Sequence, residues 1–158
     1  MSTRLKVGAA FTAIGIAAIS AVGTFEGLRT SAYRDSVGVP TVCFGETRGV
    51  KMGDQYTPEQ CKTMLGDGLV EFEQGMRRCL KNPDGLPDGP YVAFLSLSYN
   101  IGTGAFCGSS VAREANAGDI PAACSDILAW DKAGGRVLQG LVNRRNEERD
   151  ICQKGLPK

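Results

Sequence analysis

Val7 to Phe25 is a run without a charged residue, and Glu26 ends it. Seven of its positions are strongly apolar (Val7, Phe11, Ile14, Ile16, Ile19, Val22, Phe25), and the other 12 are Gly, Ala, Ser or Thr. As a helix the run is about long enough to cross a bilayer core, at ~1.5 Å per residue against ~30 Å of hydrocarbon. Its small residues leave insertion with little margin, since mainly Leu, Ile, Phe and Val favour mid-bilayer. Three readings follow: a cleavable export signal with Ala18-Ile19-Ser20 as its exit, a permanent anchor, or a retained export signal that is later released. Arg4 and Lys6 precede the run and favour the cytoplasm, so all three readings send the rest of the chain outward. The organisation expected is a membrane segment over residues 1–25 and a soluble domain over residues 26–158.

The remaining pattern is mostly helical. Gly27 to Tyr33 reads as helix or turn. Asp35 to Pro40 reads as a turn, with β-prone Thr41 to Gly45 and then Thr47 to Val50 after it, so a small antiparallel sheet is expected over Tyr33 to Val50. Thr57-Pro58-Glu59-Gln60 is a helix start: a capping Thr, Pro at the first turn and Gln three residues on. Apolar residues from Cys61 to Leu80 follow at mostly helical spacing, with a bend possible at Gly66 and Gly68. Lys81 to Gly89 holds Pro83, Gly85, Pro87 and Gly89 and reads as a loop. Pro90 to Asn100 is apolar nearly all round, as a buried core helix would be. Shorter helices are expected over Ser109 to Asn116 and from an Asp119 cap to Trp130, then a turn at Gly134-Gly135 and a last helix over Val142 to Cys152. The fold class is therefore α+β, mainly α, with a small sheet near the N-terminal side and a helical C-terminal lobe.

Composition narrows the chemistry. The 158 residues carry a net charge of +1, which offers no electrostatic case for a nucleic-acid partner. Six cysteines, Cys43, Cys61, Cys79, Cys107, Cys124 and Cys152, lie outside the apolar run and form no C-x-x-C pair. In an exported domain they read as three disulfides rather than as metal ligands or redox thiols. The chain has no histidine. That excludes Ser-His and Cys-His nucleophiles, imidazole metal ligands and a His base, so no metal or other cofactor is expected. Proton transfer is left to carboxyl groups, and a carboxyl pair is the tool used on glycosidic bonds.

Glu26 and Asp35 are such a pair, with Thr41 six residues further on. Spacing alone is weak, because two solvated acids nine apart are common. The apolar run beside Glu26 would strip water from its carboxyl group and favour the proton-carrying form. Asp35 opens a turn from which a side chain can face a cleft.

Glu26-Gly27-Leu28-Arg29, then Tyr33-Arg34-Asp35, Gly38, Thr41 and Gly45 resemble the active-site signature of the phage lysozymes of glycoside hydrolase family 24. The pattern Glu, eight residues, Asp, five residues, Thr fits without a gap. Tyr99-Asn100-Ile101-Gly102-Thr103-Gly104 is similar to the family's cleft-lining helix end. Gly140-Leu141-Val142-Asn143-Arg144-Arg145 with Glu148 is similar to its C-terminal motif. With the apolar run, the chain resembles the signal-arrest-release endolysins, which wait in the inner membrane. The resemblance implies a lysozyme-like fold and a muramidase that cuts the β-1,4 bond between N-acetylmuramic acid and N-acetylglucosamine in peptidoglycan. It implies Glu26 as general acid, Asp35 as an ionised group that orients the attacking water, with inversion, or stabilises the oxocarbenium-like transition state, and Thr41 as a holder of that water. Asn100, Arg144 and Arg145 would meet substrate; alternatively Asn100 caps a helix, and the arginines form surface ion pairs with Glu147 or Glu148. The resemblance also implies the pairings Cys43–Cys61, Cys79–Cys107 and Cys124–Cys152. The partners implied are peptidoglycan, the host inner membrane and export machinery and, indirectly, a phage holin or pinholin; the enzyme itself would be a monomer. It would sit tethered and inactive in the inner membrane, facing the periplasm, and act after release there. One departure is Glu46, where the family usually has His. With Asp35 present and no cysteine in the apolar run, membrane release rather than disulfide exchange is the control expected. A lytic transglycosylase, which needs one Glu and leaves anhydro ends, and a non-catalytic membrane-anchored wall binder are the rival readings.

Overall fold

A computed structural model of the chain describes residues 2–158. It divides into two compact units, Leu5–Val70 and residues 2–4 with Glu71–Lys158.

In the first unit the apolar run is not one helix. Strands β1 (Lys6–Val7) and β2 (Ala10–Phe11) form a hairpin, and helix α1 (Ala13–Glu26) follows. Gly8 supplies the turn with φ 59°, a left-handed value that glycine adopts without strain. The Thr12 hydroxyl accepts the Gly15 N–H at 3.1 Å and caps α1. Gly15, Ala18, Ile19 and Val22 are the buried residues of α1, a helical stripe at i, i+3, i+4 and i+7. Ile16, Ala17, Ser20 and Thr24 stay exposed. Among the described residues no helix is long and apolar enough to cross a membrane.

β3 (Arg29–Arg34) pairs antiparallel with β4 (Pro40–Cys43), Tyr33 opposite Thr41 and Arg34 opposite Pro40. The sheet thus starts earlier than the sequence pattern suggests: from Arg29 the stretch read as helix or turn is strand. Its backbone is taken up on a second side too, where Ala32 N–H bonds the Asp54 carbonyl and Tyr56 N–H the Thr30 carbonyl, both at 2.9 Å. Those tertiary partners override a local signal that is weak.

Helix α2 (Pro58–Cys79) begins where the capping residues place it. The Thr57 hydroxyl accepts the Gln60 N–H at 3.1 Å, and the Gln60 side chain accepts the Thr57 N–H at 2.8 Å. α2 runs unbroken through Gly66 and Gly68. Gly66 is needed for packing: a Cβ there would overlap the Phe11 ring and come within 2.8 Å of the Ile19 Cδ1. Leu5, Ile19, Val22, Val42, Cys61, Leu65 and Leu69 are among the buried apolar residues of this unit.

The second unit is built on α3 (Asp88–Ile101), in which every residue from Pro90 to Ser98 is buried. The central helix expected from an all-round apolar pattern is this one. α4 (Thr103–Cys107), α5 (Ser110–Asn116), α6 (Ile120–Asp126) and α7 (Gln139–Lys154) follow, with a short hairpin of β5 (Lys132–Ala133) and β6 (Arg136–Val137) before α7. Ser109 and Asp119 cap α5 and α6 through their side chains. The pattern did not mark α4, β5 or β6, which are too short for periodicity to register. The helix expected to reach Trp130 stops at Asp126 and continues as a 3₁₀ turn over Ile127–Ala129. The expected loop at Lys81 to Gly89 contains a 3₁₀ turn, Pro83–Gly85, capped by Asn82.

All three implied disulfides are present: Cys43–Cys61, Cys79–Cys107 and Cys124–Cys152. The first joins β4 to α2, and the last joins α6 to α7. Each closes a loop whose freedom would otherwise favour the unfolded chain.

Candidate active site

Glu26 is the last residue of α1, and Gly27 at φ 75° ends the helix there. The residue is exposed. The desolvation expected from the preceding apolar run does not occur: Glu26 falls on the same helical face as Gly15, Ala18, Ile19 and Val22, but it is the last residue of α1, beyond the buried stretch that ends at Val22.

Asp35 sits at the tip of the β3–β4 hairpin in the same unit as Glu26. Its Oδ1 accepts the N–H groups of Val37 and Val39, each at 2.9 Å. Its backbone N–H bonds the Val39 carbonyl and its carbonyl takes the Gly38 N–H, both at 3.0 Å. Oδ2 accepts no hydrogen bond from the described residues, so it stays available to a water molecule. Arg34 closes the turn from outside, its guanidinium donating to the Gly38 carbonyl at 3.0 Å. Thr41 is 3% exposed, and its hydroxyl donates to the Val39 carbonyl at 2.9 Å. One residue, Val39, is therefore held by both Asp35 and Thr41. The hydroxyl proton of Thr41 is committed, and its lone pairs can only accept.

Glu46 is not an additional acid aimed at solvent. Its Oε1 accepts the N–H of Thr47 at 3.0 Å and of Arg48 at 2.9 Å, capping its own turn. Cys43 has φ 61°, an unusual value for a residue with a Cβ, and its disulfide to Cys61 pins that strained link to α2.

Asn100, Arg144 and Arg145 gather in the other unit around a buried carboxylate. Glu148 is fully buried and ion-paired with Arg145 at 2.8 Å and Arg144 at 3.1 Å, and it accepts the Ser96 hydroxyl at 2.6 Å. Arg145 also donates to Asn100 Oδ1 at 2.9 Å and to the Trp130 carbonyl at 3.4 Å. Arg145 is 0% exposed and Arg144 is 7% exposed. The ion pairs expected with Glu148 are present, but they are buried rather than at the surface, where Glu148 needs neutralising. Asn100 is exposed, with its oxygen held by Arg145 and its amide group left for other partners. The helix cap is Gly102, not Asn100.

Burial pushes the Glu148 carboxyl up, opposed by Arg145, the Ser96 hydroxyl and Arg144. Burial likewise lowers the Arg145 guanidinium, opposed by Glu148. Each group offsets part of the other's cost of burial. Glu148→Gln leaves two buried guanidinium groups facing a neutral amide and should destabilise the fold by about 3–5 kcal/mol. The check is the urea midpoint of the variant against the parent; a shift under about 1 kcal/mol would mean the cluster is not stabilising.

The pattern of the sequence missed a second buried acid. Glu73 on α2 is fully buried and accepts the Tyr91 hydroxyl at 2.5 Å. Its signal was there: Leu69, Glu73, Met76 and Leu80 fall at core-facing spacing, so an acid occupies an inward position. Among the described residues no group of three His, Cys, Asp or Glu could hold a metal ion.

Residues 23–148 match the family described as phage lysozyme. Among relatives, the SAR-endolysin of Enterobacteria phage P21 is 37% identical over 162 residues, covering 98% of this chain and 97% of its own. Among solved structures, a P22 lysozyme mutant is 34% identical with a TM-score of 0.80, covering 87% of this chain and 95% of that one. The active form of the P1 phage endolysin Lyz is 25% identical with a TM-score of 0.79, covering 93% of this chain and 86% of that one. The secreted inactive form of Lyz, at 21% identity, reaches a TM-score of only 0.58 while covering 93% of this chain and 97% of its own.

Proposed function

This chain belongs to the phage lysozyme family and is a glycoside hydrolase of lysozyme type; from that premise we propose how its residues carry the reaction and how the reaction is withheld. The substrate is the β-1,4 bond between N-acetylmuramic acid and N-acetylglucosamine in peptidoglycan, and the outcome is lysis of the host. Glu26 protonates the leaving glycosidic oxygen. Asp35 takes a proton from the attacking water through Oδ2. Thr41 accepts an O–H of that water and, through Val39, fixes the turn that aims Asp35. Asn100 offers its amide to the sugar chain, and Arg145 orients Asn100 instead of touching sugar.

The observation that carries this reading is the anchoring of Asp35. Two N–H groups grip one carboxylate oxygen and leave the other for water, which is the arrangement a general base needs. Asp35→Asn should keep the turn, since an amide oxygen accepts the same two N–H groups. It should cost ~10²–10⁴-fold in turnover while wall binding changes little. Equal losses of binding and rate would make Asp35 structural. Mass spectrometry of the muropeptides released from purified walls decides the bond chemistry. Reducing ends support hydrolysis, anhydro ends mean a transglycosylase, and no release means a wall binder.

The apolar run supports a second element. In the host inner membrane it is a tether facing the enzyme to the periplasm, reached through the export machinery and let go when a holin or pinholin collapses the membrane potential. In the released enzyme it is the β1–β2 hairpin and α1. The higher similarity to the active than to the inactive form of Lyz supports reading the present fold as the active state. In the tethered state Phe25 ends a membrane helix and holds Glu26 at the headgroups, away from its place after α1.

A further inference from the structure

The residues just before the apolar run occupy a site on the second unit that has the character of a receptor. Glu73, fully buried, accepts hydrogen bonds from the Thr3 hydroxyl, from the Arg4 N–H at 2.6 Å and from Tyr91. The Arg4 guanidinium lies over the Tyr91 ring, 4.2 Å from its centre. It donates to the carbonyls of Leu86 at 2.8 Å and Pro83 at 3.2 Å, and pairs with Asp88 at 2.6 Å. Gln74 holds the Ser2 carbonyl at 3.1 Å. Arg77 bonds the Tyr91 hydroxyl at 3.0 Å and Asp84 at 2.8 Å, which sets the ring beneath Arg4. In the first unit the other basic residue of the tail, Lys6, pairs with Asp67 at 2.6 Å.

This cluster has no part in the proposed reaction, yet it contains one of the few fully buried acids of the chain. A buried carboxylate is costly unless its hydrogen bonds are met. Here residues 3 and 4 supply two of them. Resting on the tether-and-release reading above, the consequence is direct. While Val7 to Phe25 spans the bilayer, Thr3 and Arg4 lie on the cytoplasmic side, ~30 Å of hydrocarbon away from the periplasmic body. Glu73 and Asp88 are then without them. The charges that hold the tether's orientation before release are the charges that find acidic partners after it.

We propose that Glu73, Tyr91 and Asp88 form a latch receptor for the chain's own N-terminal tail, which captures Thr3 and Arg4 once the tether leaves the membrane and thereby makes release one-way. The differential contact that biases the equilibrium is the set of charge-assisted hydrogen bonds made in the released state only.

The test uses the full chain. Three variants, Glu73→Gln, Asp88→Asn and Thr3→Val, leave Arg4 and Lys6 in place for membrane orientation. After collapse of the membrane potential, the soluble fraction is measured by fractionation. The soluble protein is then exposed to an arginine-specific protease, and cleavage at Arg4–Leu5 is timed. Weaker release and about tenfold or more faster cleavage at that bond are expected in Glu73→Gln, with smaller effects in the other two. If Glu73→Gln does not accumulate, the Asp88→Asn, Thr3→Val double variant is read in its place, since Asp88 is largely exposed. Parent-like release with parent-like protection of Arg4 overturns the latch while leaving the tether intact. Intact mass separates the other failure: a released protein that signal peptidase has cut after Ser20, and that therefore lacks the tail and most of the apolar run, removes the tether reading and the latch with it.

Discussion

Glu26→Gln protein is expected to leave a suspension of purified peptidoglycan uncleared under conditions in which the parent clears it. The amide is isosteric but far too weak an acid to protonate the leaving oxygen, and the chain has no histidine to stand in. Loss of a general acid typically removes ~10²–10⁴-fold in rate. Because Glu26 is exposed at the end of α1, the change should move stability by no more than about 0.5 kcal/mol. Activity and melting curve therefore separate cleanly. A normally folded Glu26→Gln protein that clears walls at the parent rate would refute the assignment.

Gly15→Leu should hold the enzyme in the membrane and delay lysis. Two physical terms act in the same direction. In the bilayer, Leu in place of Gly favours insertion by a few tenths of a kcal/mol or more. In the folded body, a Cβ at Gly15 would overlap the Leu5 carbonyl oxygen and lie 3.1 Å from its carbon. That oxygen also accepts the Thr12 N–H at 2.9 Å, so it cannot swing away without breaking the start of α1. Forced overpacking of this kind costs about 1–3 kcal/mol, and backbone contacts yield least. Gly23→Leu should act more weakly, since its Cβ would press on the Phe44 ring at 3.2 Å, a side chain that can shift. Gly8→Leu meets no neighbour but strains a residue at φ 59°. Fractionation and lysis timing after collapse of the potential rank the three. Lysis by Gly15→Leu as prompt as the parent's would mean that α1 does not form on the way to activity.

Local signals in the chain were strong wherever a helix carries its own start and stop. Thr57, Pro58 and Gln60 announced α2, and the realised bonds are those the residue types imply. Asp119 announced α6 in the same way. Pro90 to Asn100 announced the core helix because a segment apolar all round has no solvent face to give. The spacing of Glu26, Asp35 and Thr41 was legible as a motif. The grip of two N–H groups on Asp35 Oδ1 was not, because it arises from the turn that the β3–β4 register closes.

By itself, then, the sequence determined the helical scaffold, the candidate acids and, through family resemblance, the three cysteine pairs. Tertiary structure alone decided which face each charged side chain takes. Arg145 and Glu73 belong to residue types that are normally exposed, and local pairing alone does not account for their burial: Arg145 has Glu148 one turn on, but also Asn100 and the Trp130 carbonyl from distant parts of the chain, and Glu73 has Tyr91 and the tail. The same holds for Val7 to Phe25. Its apolar and small residues suit lipid, and they also suit a hairpin and a helix with a narrow inward stripe. No local pattern separates these, since lipid and protein core are both apolar surroundings. What separates them is the surface that Phe11 and Ile19 meet at Gly66, which exists only once the rest of the unit has folded.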